Sequence, residues 1–111
     1  MIAIAWNNGA HKPTGAGYGL KLSIVDRDKH FHRRWKSVIL EIPRRSGRIE
    51  VEVNVSKQSF WDRRCGELIH REIGRWLIEQ GLAPWPKRKP PRIELIPLAR
   101  EHFGFGGVSA R

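Results

Sequence analysis

The stretch from Ser59 to Gly81 carries both ends of a helix with an apolar stripe between them, and it constrains the fold more than any other segment. Ser59 is an N-cap residue whose hydroxyl can accept a bond from an orphan N–H of the first turn, and Asp62 puts negative charge at the positive helix end. Trp61, Cys65, Leu68, Ile69, Ile73, Trp76 and Leu77 then recur at steps that share one face of a 3.6-residue period. Gly81 suits the left-handed position after the last turn, Leu82 can fold back onto that turn, and Pro84 forbids continuation. The spacing predicts a long helix over about 60–80 with the stripe facing the core.

Most of the remaining chain reads as strand. Ile2, Ile4 and Trp6 alternate with Ala3 and Ala5, and Leu20 and Leu22 flank Lys21. Ser23 and Asp26 repeat the cap pattern, and Ile24, Phe31 and Trp35 share a helical face, which predicts a short helix over about 24–34. Val38, Leu40 and Ile42 form one arm of a hairpin and Ile49, Val51, Val53 and Val55 the other, with Glu50, Glu52 and Asn54 outward. Ile93, Leu95 and Leu98 make a further strand, and Phe103 and Phe105 a short edge strand. The fold class is α+β: a small, mostly antiparallel β-barrel or curved sheet of five to seven strands, with one long and one short helix. Residues 1–111 are expected to form a single domain, with 106–111 a frayed tail.

The chain has 21 Lys and Arg against 11 acids, a net charge of +10, and fourteen of the basic residues are arginine. Arginine presents a planar fork that pairs bidentately with phosphate, so this excess points to nucleic acid, although many small proteins are basic without a polyanionic partner. The single cysteine, Cys65, cannot form an internal disulfide and is expected to pack as a small hydrophobe. Residues 1–6 lack a basic n-region and no apolar run approaches a membrane span, so no membrane contact is expected and the localisation is read as cytoplasmic.

Four segments supply candidate contacts. The loop from Gly9 to Gly19 holds Lys12 and a Gly-x-Gly-x-Gly spacing that matches neither a dinucleotide fingerprint nor a P-loop, so it is either a backbone nest beside Lys12 or a turn that reverses the chain. The hairpin tip projects Arg44, Arg45 and Arg48. Arg64, Arg71 and Arg75 fall at spacings of seven and four, one row on the outside of the long helix. Pro84 to Pro91 is stiff and extended, with Lys87, Arg88 and Lys89 exposed and Trp85 able to cap the core or stack on a base. Asp26, Asp28, His30 and His32 would line up as metal ligands in an extended chain, but the helix makes them ordinary surface pairs. No catalytic residue, metal or cofactor is expected.

Trp76, Gly81 and Leu82 followed by Ile93-Glu94-Leu95 resemble the helix, Gly/Asn-Leu turn and final strand of B3-type pseudobarrel domains, which bind DNA in plant transcription factors and some restriction enzymes. The element order is similar over about three-quarters of the chain, while the Gly-Asp usual after that turn is replaced by Ala83-Pro84-Trp85-Pro86. The resemblance implies that DNA lies across the open side of the barrel, contacted by arms from both ends. The leading expectation is a nucleic-acid-binding domain, with DNA preferred over RNA because most of the five tryptophans fall at core positions. The alternatives are a small basic ribonuclease of toxin type, drawing on His30, His32 or His70, and a module that docks an acidic protein.

Overall fold

The computed structural model describes residues 1–109. Along them run β1 (Ile2–Asn7), β2 (Tyr18–Leu22), α1 (Ile24–His30), β3 (Ser37–Arg44), β4 (Gly47–Asn54), β5 (Gly66–Ile69), α2 (Arg71–Glu79), β6 (Arg92–Ala99) and β7 (His102–Ser109). The strands form one curved sheet in the order β4-β3-β7-β6-β1-β2-β5, a half-barrel closed by two helices. All neighbours are antiparallel except β3 and β7, which run parallel. The fold is thus α+β with a mostly antiparallel, curved sheet of seven strands, within the expected class.

Alternation fixes the interior. Val38, Leu40 and Ile42 of β3 and Val53 of β4 are buried, and the hairpin closes in register through a turn at Arg45 and Ser46. On β1 the small side chains Ala3 and Ala5 face the core, while Ile2 and Ile4 stay 49% and 40% exposed. Phe31, at the end of α1, stacks on Phe103 with ring centroids 4.6 Å apart and meets Phe60 at 5.0 Å. Trp76 of α2 meets Phe105 edge-on at 4.8 Å, so β7 contributes an aromatic to the packing of each helix.

The long helix is shorter than its stripe suggests. Only 71–79 is helical, and Gly66–Ile69 is an edge strand whose Leu68 lies opposite Leu20 of β2. Over four residues the periods of 2 and 3.6 select nearly the same apolar positions, and pairing with β2 satisfies the backbone while burying Leu68 fully. Gly66 also fits this site closely: a Cβ there would fall 3.0 Å from Arg27 Cδ and 3.1 Å from the Phe60 carbonyl oxygen. Ser59 and Asp62 therefore cap no helix. Residues 57–61 form turns, with the Phe60 and Trp61 N–H groups donating to the Lys57 and Gln58 carbonyls at 3.1 Å each. Instead, α2 begins at His70, whose Nδ1 accepts the Glu72 N–H at 3.0 Å.

The other end of α2 is as expected. Gly81 has φ +72°, its N–H donates to the Ile78 carbonyl at 3.0 Å, and the Leu82 N–H reaches the Leu77 carbonyl at 2.9 Å, the Schellman arrangement. Ile73, Trp76 and Leu77 are buried, and α2 packs mainly on β2 and β3.

Ser23 caps α1 as its sequence predicts, accepting the Asp26 N–H at 3.2 Å, but the helix stops at His30 rather than 34. Phe31 leaves the helix in an extended conformation and turns into the core. The inward residue of α1 is Arg27, 4% exposed, whereas Ile24 is 39% exposed. At the C-terminus β7 is a central strand between β3 and β6, not an edge, and Gly106 to Ser109 are part of it rather than a frayed tail. Gly104 and Gly106 leave the room that Leu98, Ile96 and Glu94 occupy beside that strand. Residues 110 and 111 of the expected tail lie outside the described residues.

Candidate functional site

The basic residues singled out by the sequence divide into those held by carboxylates and those that are not. Arg44 is half-buried and reaches from the end of β3 to α2, 3.5 Å from Glu72 and 3.1 Å from Glu79. Arg75 pairs with Glu72 at 2.9 Å and donates through Nε to the Thr14 carbonyl at 3.3 Å. Arg48 lies 3.1 Å from Glu41. Arg64 is not on α2 at all: it belongs to the connection before β5 and pairs with Asp62 at 3.1 Å, so the expected row of three is reduced to Arg71 and Arg75. The Arg64 backbone N–H, then its guanidinium, hold the Asp62 carboxyl below the usual carboxylate range. Lys12, Arg45, Arg71, Lys87, Arg88 and Lys89 are exposed and have no carboxylate within 4.0 Å among the described residues.

Three contacts tie most of these segments together. Gly15 sits directly against α2, where a Cβ on it would fall 2.7 Å from the Arg75 amide nitrogen, and this seats the loop that carries Lys12. Arg44 links the hairpin end to the same helix through Glu72 and Glu79. Trp85 packs edge-on against His11 at 5.3 Å and Tyr18 at 5.9 Å, anchoring the run Lys87 to Lys89 beside the loop. His11 Nδ1 and the Tyr18 hydroxyl are 2.9 Å apart, and burial pushes the Tyr18 phenol up. Trp85 thus takes the packing role.

The histidines have local duties. His70 caps α2, and burial pulls its imidazole down, with Glu72 opposing and Arg71 adding to the shift. His32 Nδ1 accepts the Arg34 N–H at 3.1 Å, and His30 is the last residue of α1. Asp26 and Asp28 lie on that helix, so the run 26–32 is not extended.

Two features escaped the sequence reading. Arg27 enters the interior and donates through Nη1 to the carbonyls of Phe60 at 3.1 Å, Cys65 at 3.4 Å and Asp62. Glu41, Glu50 and His102 bring one ligand atom each to within 4.8 Å of one another, the one such trio of metal-ligating side chains among the described residues. Glu41 and Glu50 are direct cross-strand partners, a pairing readable from the hairpin register, but His102 joins them only through the parallel β3–β7 pairing.

No protein-family model, curated protein or solved structure matches this chain. Among the described residues no helix is long and apolar enough to cross a membrane. The functional reading therefore rests on the chain's own chemistry.

Proposed function

We propose that this chain is a nucleic-acid-binding domain, with double-stranded DNA as its first ligand, that binds without cleaving. The observation that carries the reading is that six of the cations singled out by the sequence, Lys12, Arg45, Arg71, Lys87, Arg88 and Lys89, are exposed without a carboxylate partner among the described residues, on segments that contact α2 or its neighbours. Lys29, Arg33, Arg34, Lys36, Arg63 and Arg92 are likewise exposed and unpaired among the described residues, but on other segments. Cations already matched to protein carboxylates release few counterions on binding, whereas unmatched ones are free to neutralise phosphates. Arg44, Arg48 and Arg75 support the surface by holding its segments in place, and Arg64 lies apart from it.

The preference for duplex over single strands rests on the aromatics. Trp76 is buried, and Trp35, Trp61 and Trp85 pack against the core, which leaves few free faces on which to stack bases. The kinship with B3-type pseudobarrels belongs to the same proposal, supported by the two helices, the Gly-Leu turn after α2 and the strand that follows it. A gel shift with labelled duplex DNA, single-stranded DNA and RNA at two salt concentrations tests the reading. Duplex is expected to bind most tightly and to remain intact. Cleavage that disappears in a His30→Ala or His70→Ala variant would favour a nuclease, and failure of all three ligands would favour an acidic protein partner.

A further inference from the structure

We propose that Glu41, Glu50 and His102 form a binding site for a divalent transition-metal ion of the Zn2+ class. The three side chains come from neighbouring strands, β4, β3 and β7, so the sheet fixes their spacing before any ion arrives. His102 Nε2 lies 2.6 Å from Glu41 Oε2 and 3.7 Å from Glu50 Oε2. That nitrogen is inaccessible to solvent and makes no well-aligned hydrogen bond. Ligands about 2.0–2.2 Å from a tetrahedral Zn2+ stand roughly 3.3–3.5 Å apart, so a shift of under about 1 Å between His102 and Glu41 would seat the ion.

Two further observations favour a cation here. Glu41 and Glu50 face each other directly across the β3–β4 ladder, a like-charge pairing that is unfavourable unless positive charge lies between them. Arg48 holds the other oxygen of Glu41, Oε1, at 3.1 Å and leaves Oε2 turned towards His102. This is the way an outer partner orients a ligating carboxylate. A cleft of about 310 Å³ lined by Glu41, Arg48, Leu98, Gly104 and Phe105 opens beside the trio and offers an entry path. One imidazole with two carboxylates suits Zn2+, Co2+ or Ni2+, whereas Mg2+ and Ca2+ prefer all-oxygen sets. The bound ion joins three adjacent strands and is independent of the nucleic-acid reading.

The test is calorimetric titration of chelator-treated protein with ZnCl2, CoCl2 and MgCl2, with visible absorption followed for Co2+. The parent takes up one equivalent of Zn2+, its thermal midpoint rises, Co2+ develops intensified visible bands, and Mg2+ gives no response. Glu50→Gln and His102→Ala each weaken Zn2+ binding by more than about tenfold. The Glu50 side chain is 56% exposed, so its variant folds and decides the matter alone if His102→Ala does not. Absence of stoichiometric Zn2+ binding, an equal response to Mg2+, or unchanged affinity in Glu50→Gln would overturn the assignment. So would loss of binding in a His30→Ala/His32→Ala variant in place of the other two.

Discussion

Arg27 Nη1 donates to the Phe60 carbonyl across 3.1 Å of protein interior and joins α1 to the connection before β5. The same nitrogen serves Cys65 and Asp62, while Nε pairs with Asp28 at 3.0 Å and the guanidinium lies over the Trp61 ring. Truncation strands carbonyls that have lost a charged donor, at about 1–3 kcal/mol for such a loss. Arg27→Ala is expected to lower unfolding free energy by about 3 kcal/mol in urea titration. Arg27→Lys should recover little of it, because an ammonium does not reproduce the fork. A loss under about 1 kcal/mol in the alanine variant would contradict this role.

Gly74 faces Gly15 where the loop crosses α2. A Cβ at Gly74 would lie 2.7 Å from Gly15 Cα and 2.7 Å from Tyr18 Cβ, and the obstacle is partly backbone. Helix propensity alone would favour alanine here by about 1 kcal/mol, while overpacking costs roughly 1–3 kcal/mol or more. Gly74→Ala is therefore expected to lower the thermal midpoint, and a raised midpoint would show that the loop is not seated on the helix.

His70 caps α2 only as neutral imidazole, because Nδ1 must accept the Glu72 N–H. Burial, partly opposed by Glu72 and aided by Arg71, lowers its folded pKa below the ordinary value of about 6.5. The cap's contribution is fully present above the unfolded pKa and is lost as pH falls through the lowered folded one. Stability of the parent should thus decline more steeply below about pH 6.5 than that of His70→Asn, which keeps a cap that does not titrate. Parallel pH profiles for the two proteins would rule the cap out as the cause.

The parts of the fold legible in the sequence are those whose signal is local. The β3–β4 hairpin follows from Val38, Leu40, Ile42 and Val53 around a short turn, and the end of α2 from Gly81, because both depend on neighbouring residues alone. The segment 60–70 misleads because Leu68 and Ile69 satisfy helix and strand periods alike, and pairing with Leu20, remote in the chain, decides between them. The burial of Arg27 is not legible, since nothing nearby in sequence announces the carbonyls that receive it. The candidate contacts were legible as charges but not as partners: Arg44 reads as a free loop-tip cation, and only the packing of α2 brings Glu72 and Glu79 to it.

Arg71 separates binding from folding most cleanly. It is the first residue of α2, where positive charge opposes the helix dipole, so Arg71→Glu should leave stability unchanged or raise it by about 0.3–1 kcal/mol. Combined with Arg45→Glu, it is expected to weaken duplex binding by more than about tenfold in fluorescence anisotropy. Arg64→Glu, outside the proposed surface, should change affinity less than about threefold, since a lone distant charge is largely screened. Equal losses from the two would remove the distinction between matched and unmatched cations.

The most direct test of the nucleic-acid reading is the salt dependence of duplex affinity in the parent and in Lys87→Glu/Lys89→Glu, both positions being exposed. Neutralising roughly five phosphates gives a slope of log K against log salt near −4 to −5, about −0.9 for each contact. The account predicts that slope for the parent, and a shallower one by about 2 with more than tenfold weaker binding for the variant. Duplex, single-stranded DNA and RNA all failing to bind at low salt, or a slope unchanged by the double reversal, would contradict it.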